Sequence, residues 1–244
     1  MDNDHAPHPR TLALWSAPRA RSTAFFRAML ERGDLVGLHE PFCNVTDFGA
    51  TTVDGREVRS HRELIGAVRA LSAHRTVFLK DTTDHRFPAV LEDSEFLREA
   101  THTFLIRRPE QIAASFYALK PDMEAGALGL EQLHELHTAV VAAGGRAVVV
   151  DSDDLVRDPE RTLAAYCREV GLPFDPAALR WAPGDRPEWE RSKRWHVDVS
   201  ESSGFRDSVT EYADTVDNNP RLASFSARHQ PYYQALRRHK LALT

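Results

Sequence analysis

LALWSAPRARSTAFFRAML, residues 12–30, decides how the chain folds. Residues 12–15 are apolar and read as a short buried strand. Residues 16–21 form a tight polar loop, and a helix opens at Ser22, because apolar residues then recur at Phe25, Phe26, Met29 and Leu30. A strand–loop–helix junction aims unpaired backbone N–H groups and the positive end of the helix dipole at one point. That point suits a phosphate. Arg19, Ala20 and Arg21 lie in the loop, and the hydroxyls of Ser22 and Thr23 add donors where the helix begins.

Working outward, the pattern repeats. Strands are expected at 35–39 (LVGLH), 76–79 (TVFL), 101–106 (THTFLI) and 147–150 (AVVV). Helices are expected at 61–73, 87–99, 109–119, 130–143 and 158–171, with Pro109 in a first turn and Gly171 as a stop. Residues 44–59 are polar and contain glycine, and read as a long loop of the kind that serves as a lid. Strands alternating with helices imply an α/β fold, a mostly parallel central sheet of about five strands flanked by helices on both faces. Ligands of such sheets collect at the carboxyl ends of the strands. The polar clusters at 16–23, 39–42, 80–85, 107–109 and 151–154 all fall there.

Residues 1–9 read as a disordered leader before one domain spanning 10–244. From Trp181 onward the chain is rich in Trp, Pro, Arg and Ser. Residues 180–244 are therefore expected to be an irregular C-terminal extension over the site, ending in a helix near 231–241.

Composition narrows the partners. A net charge of −5 over 244 residues argues against nucleic-acid affinity, so an anion site must be a local concentration of Arg. Only four of the 31 cationic residues are Lys, a bias that points to a GC-rich bacterial genome. Cys43 and Cys167 give no disulfide framework and fit a reduced cytoplasmic setting, with Cys43 read as a small buried hydrophobe. No apolar run is long enough for a membrane span, and the first ten residues carry no secretion signal. Oligomeric state is not legible.

The loop at 16–23 is not a Walker-type P-loop: GxxxxGK[ST] is absent, no glycine occurs between residues 12 and 32, and the Lys is missing. A P-loop-like nucleotide kinase stays as an alternative, with Asp151 at the end of the fifth strand as its metal-binding carboxylate. A second cluster, Ile106-Arg107-Arg108-Pro109 with Ser115 and Tyr117, could hold another phosphate from a strand end and from the following helix.

Together the two clusters carry a family resemblance. Ala17-Pro18-Arg19-Ala20-Arg21-Ser22-Thr23 resembles the PxSGTT-like 5′-phosphosulfate loop of sulfotransferases that use 3′-phosphoadenosine 5′-phosphosulfate (PAPS). The segment from Arg107 through Ser115 to Tyr117 resembles that family's RxPxxxxxSxY element, which holds the 3′-phosphate. Residues 149–174 look like its "YEDL…DP…GLPF" stretch. The resemblance covers residues 11–174 and implies the P-loop NTPase-like sulfotransferase fold. Two departures stand out: Arg21 replaces the usual Gly, and Arg19 the usual Lys, although Arg can meet the leaving phosphate with two donors.

The implied chemistry is transfer of SO3 from PAPS to a hydroxyl or amine of a small-molecule or carrier-bound acceptor, in line and without a metal, leaving adenosine 3′,5′-bisphosphate (PAP). The acceptor itself is not legible; composition and subgroup alone suggest a bacterial natural-product intermediate. By analogy with phosphoryl transfer, positioning and charge stabilisation do most of the work. Arg19, Ala20, Arg21, Ser22 and Thr23 would hold the phosphosulfate, and Arg107 with Ser115 the 3′-phosphate. Lys193, Trp195, Gly204 and Phe205 would close over the nucleotide. His39-Glu40-Pro41-Phe42 resembles an "EP" element whose Glu is the base, so Glu40 is the first candidate, with His85 or Asp81 as substitutes. His134 and His137 read as surface histidines, and no metal site is expected. A non-catalytic nucleotide-binding protein that kept the cradle and lost the base is the remaining alternative.

Overall fold

The computed structural model describes residues 10–205 and 211–243. The opening stretch forms β1 (Thr11–Ser16) and α1 (Ser22–Glu31). The chain continues through β2 (Val36–His39), α2 (Pro41–Phe48), β3 (Thr51–Val53), β4 (Arg56–Val58), α3 (His61–Ser72) and β5 (Val77–Thr82). Next come α4 (Pro88–Glu92), α5 (Ser94–Glu99), β6 (Thr101–Ile106) and α6 (Pro109–Tyr117). Then follow α7 (Leu130–Ala142), β7 (Arg146–Asp151), α8 (Ser152–Arg157) and α9 (Pro159–Val170), with α10 (Val197–Ser200) and α11 (Pro220–Arg237) in the extension.

Five strands form a parallel sheet in the order β2-β5-β1-β6-β7. The central strand β1 is buried along its whole length, as its unbroken apolar run requires of a strand covered on both faces. The chain turns to opposite sides of β1, toward β2 and β5 and then toward β6 and β7. This places a crevice at the carboxyl end of β1, where the polar loop begins. α1 packs its apolar face on the sheet: Phe25 meets Tyr166 edge-on at 4.9 Å between ring centroids, and Phe26 stacks on Phe78 at 5.9 Å.

The expected lid at 44–59 is instead the body of α2 and a hairpin of β3 and β4. The hairpin turn is Asp54-Gly55, both with positive φ (49° and 76°), the pairing that matches the twist of two-residue hairpins. α2 starts with Pro41 at its first turn and is capped from another strand. Buried Asp81, at the end of β5, accepts from the N–H groups of Phe42 (2.6 Å), Cys43 (3.2 Å) and Thr82 (3.0 Å). Burial pushes the Asp81 carboxyl up to about 7, while these donors favour its ionised form. Asp81 thus caps α2 from the neighbouring strand and is not among the residues that line the cavity described below. Asp81→Ala strands two buried N–H groups and is expected to cost about 3 kcal/mol in urea unfolding.

The single helix expected at 87–99 is two, broken at Asp93, whose carboxylate accepts from Phe96 N–H at 2.9 Å and starts α5. The terminal helix begins at Pro220 rather than Pro231. Asn219 accepts from Arg221 N–H at 3.1 Å, and Pro231 lies inside the helix, where it forfeits one intrahelical bond. After α11, Leu241 N–H donates to Val149 O at 2.8 Å, so the chain covers the outer edge of β7. Among the described residues, no helix is long and apolar enough to cross a membrane. The expected leader at 1–9 lies outside the described residues, as do residues 206–210 of the extension.

Candidate active site

A cavity of about 840 Å³ opens at the carboxyl ends of the strands. Its volume suits a nucleotide and part of a second substrate. The β1–α1 loop forms one wall. Arg19 and Arg21 both adopt left-handed backbone conformations, with φ of 60° and 67°. Such a conformation costs a residue with a Cβ about 1 kcal/mol. The Gly that Arg21 replaces would adopt this φ freely, and Arg21 adds a guanidinium in exchange. Arg21 Nη1 reaches Asp153 Oδ1 at 3.8 Å and Ser152 O at 3.5 Å. Among the described residues no side chain accepts from the first N–H groups of α1, and Ser22 and Thr23 line the cavity at that helix N-terminus.

The second cluster closes on the first. Arg19 Nε donates to Ser115 Oγ at 3.1 Å, and Arg107 Nη1 donates to the Arg19 carbonyl at 2.6 Å. Arg107 Nε is held by Gln111 Oε1 at 2.9 Å. Burial, with Arg21 nearby, lowers the Arg107 guanidinium to about 10, which leaves it cationic at neutral pH. Arg19 thus meets Arg107 and Ser115, 88 and 96 residues further along the chain, on one wall.

The extension supplies the facing wall. Arg19 Nη1 donates to Trp195 O at 2.7 Å, and Nη2 lies 3.4 Å from Asp198. The Trp195 ring packs edge-on against Phe116 at 5.7 Å, and Gly204 and Phe205 also line the cavity. Two expected residues do not. Lys193 is half exposed and pairs with Asp185, away from the cavity wall. Ala20 is buried beneath the loop, and its N–H turns to Ala17 O at 3.3 Å.

Glu40 stands at the end of β2, next to the start of α2, with φ of 48°. Its N–H donates to Lys80 O at 2.6 Å, and its carboxylate accepts from the buried Lys80 ammonium. Burial pushes the Glu40 carboxyl up. Lys80 outweighs it, with His39 and His196 adding to its effect, and the carboxyl is held well below the usual carboxylate range. His85 lines the same end of the cavity, where it pairs with Asp47 at 3.0 Å.

Sequence reasoning missed His196, which no spacing pattern marks. Its Nδ1 lies 3.0 Å from Thr23 Oγ1 and its Nε2 3.0 Å from Ser192 Oγ. Burial lowers the imidazole to about 3, so it is neutral, donating to one hydroxyl and accepting from the other. It ties the helix N-terminus to the extension. His39, Glu40 and His196 present ligand atoms within 4.8 Å of one another. Lys80 holds one Glu40 oxygen, and Thr23 and Ser192 hold the two His196 nitrogens. His39 Nε2 is buried with no hydrogen-bond partner among the described residues.

A family model described as "Sulfotransferase domain" matches residues 10–239. An Arabidopsis thaliana protein named branched-chain-amino-acid aminotransferase-like protein 1 is 30% identical over 246 residues, covering 95% of this chain. The chain spans only 42% of that relative's length. Among solved structures, a sulfotransferase from Alicyclobacillus acidocaldarius aligns over 95% of this chain and 97% of its own, with a TM-score of 0.53 at 12% identity. A Mycobacterium avium sulfotransferase aligns over 98% and 79%, with a TM-score of 0.50 at 12% identity. At that identity the likeness speaks for the fold.

Proposed function

This chain belongs to the sulfotransferase-domain family, and from that premise we propose that it transfers a sulfuryl group from PAPS to a hydroxyl or amine of a small-molecule or carrier-bound acceptor. The observation that carries the reading is the convergence of Arg107 and Ser115 on Arg19 beside an uncapped helix N-terminus. A bisphosphorylated nucleotide needs cationic and hydroxyl donors at two phosphates. The donor set present fits it.

In this reading Arg19, Arg21, Ser22 and Thr23 hold the phosphosulfate, and Arg107 with Ser115 holds the 3′-phosphate. Trp195, Gly204 and Phe205 close over the nucleotide as part of a single domain. The acceptor oxygen forms its bond to sulfur as the bond from sulfur to the 5′-phosphate oxygen breaks. The electron pair stays on that phosphate, where Arg19 meets it. The acceptor proton passes to Glu40, an ionised carboxylate on the cavity wall. Guanidinium groups supply the positive charge, so no metal is required by the scheme.

Calorimetry separates this reading from the kinase alternative. PAP is expected to bind without Mg2+ and at least about tenfold more tightly than ATP with Mg2+, the worth of one additional charge-assisted phosphate contact. Tighter binding of Mg-ATP would overturn it. Sulfated product from PAPS in an acceptor screen separates the enzyme from a non-catalytic binder.

A further inference from the structure

The cavity is lined by groups of both charges. Arg19, Arg21 and Arg107 line the end assigned to the donor. At the other, α2 and the loop after β5 bring together Glu40, Asp47 and Asp84. Two of these carboxylates are partnered inside the protein, Glu40 by Lys80 and Asp47 by His85.

Asp84 is different. Its Oδ1 is buried and has no hydrogen-bond partner among the described residues, although the residue lines the cavity. A buried carboxylate oxygen without a donor is costly to keep. Lys120 and Arg194 also line the cavity, Arg194 over the Trp195 ring at 4.8 Å, and two further cations are committed to other groups. Lys80 serves Glu40, and Arg191 donates to Ala50 O at 3.0 Å while lying over the Phe48 ring at 5.6 Å. Burial pushes the Asp84 carboxyl up, held back in part by a side-chain hydrogen bond from Thr82 and by His85 nearby. Cys43, on the same end, has its thiol pushed well above the usual range by burial and then by Asp81, Asp84 and Glu40. That end of the cavity therefore sets Glu40, Asp47 and Asp84 against Lys80 and Arg191, beside Phe48.

We propose that Asp84 binds a protonated amine on the acceptor, so that the acceptor class is a hydroxyl compound with an apolar body and an ammonium group. This rests on the sulfotransferase reading and narrows it. An anionic, phosphate-bearing carrier would meet the wrong charge at this wall.

The test is a charge series on one phenol scaffold: tyramine, para-ethylphenol and para-hydroxyphenylpropionate, titrated calorimetrically into protein saturated with PAP. Tyramine is expected to bind about tenfold or more tightly than its neutral congener, and the anion weakest of the three. Asp84→Asn should bring the tyramine preference close to one while PAP affinity stays unchanged. Equal binding of the three, no binding of any, or a cation preference that survives Asp84→Asn overturns the proposal. The wild-type series decides independently should the variant fail to fold. Failure of PAP itself to bind removes the sulfotransferase reading and this proposal with it. PAP binding without a cation preference removes this proposal alone.

Discussion

Glu40→Gln is expected to lower kcat by about 100- to 10,000-fold, the range a positioned general base supplies. PAP affinity should be kept, because Glu40 makes none of the contacts of the Arg19 loop. Gln matches the shape of Glu and leaves one oxygen to accept from Lys80. The fold should therefore lose less than the about 3–5 kcal/mol of breaking a buried ion pair outright. The pH dependence gives a second readout. Glu40 is held below its ordinary value of 4.5, so its ionised form contributes stability that is fully present above that pH. The contribution disappears as pH falls toward the folded-state value. Wild-type stability in urea should thus decline below about pH 4.5, and the Glu40→Gln variant should show a shallower acid slope. An unchanged kcat would place the base elsewhere, with His85 next on the same wall.

Much of the fold is legible because local patterns coincide with what packing demands. The run at β1 is apolar at every position from residue 12 to 15, and the strand is covered on both faces. Asp158-Pro159 and Gly171 bracket α9 as cap, first turn and stop, with Gly171 at a φ of 67°. Where the reading failed, a local signal had a distant partner. α2 looks like loop because its polar surface hides the apolar face of Phe42 and Cys43, and its cap, Asp81, comes from β5, 39 residues away. Pro231 resembles a helix start, yet Asn219-Pro220 carries the same signal with an actual cap.

The site shows a similar division. Arg19, Arg107 and Ser115 announce themselves through motif spacing, and the structure joins them. The partners that tune the chemistry leave no such trace. Lys80 sets the charge state of Glu40 only because β2 and β5 pair in parallel, with His39 opposite Lys80. His196 reaches Thr23 across 173 residues, from an extension without regular pattern. Lys193 carries the charge expected of a phosphate ligand, but it sits three residues from His196 on a short 3₁₀ segment that turns it to Asp185.

Arg107→Ala is expected to weaken PAP binding by about 10- to 100-fold, the worth of losing a charge-assisted pair of hydrogen bonds to a phosphate. Two mechanisms could deliver that loss. Arg107 is assigned to the 3′-phosphate, but its Nη1 also holds the Arg19 carbonyl at 2.6 Å, at a residue whose φ of 60° needs support. Removing it could therefore loosen the phosphosulfate loop without any lost contact to the 3′-phosphate. Adenosine 5′-monophosphate, which lacks that phosphate, tells them apart. If Arg107 grips the 3′-phosphate, wild-type protein prefers PAP over the monophosphate and Arg107→Ala erases most of the preference. If Arg107 only braces Arg19, both ligands weaken alike and the preference survives, which would sink the assignment. Arg107→Lys should fall between the two, because it keeps the charge but lacks the fork that reaches Gln111 and Arg19 together. Ser115→Ala should likewise lower the PAP preference by a smaller factor if its hydroxyl grips the 3′-phosphate, and weaken both ligands alike if it only accepts from Arg19 Nε.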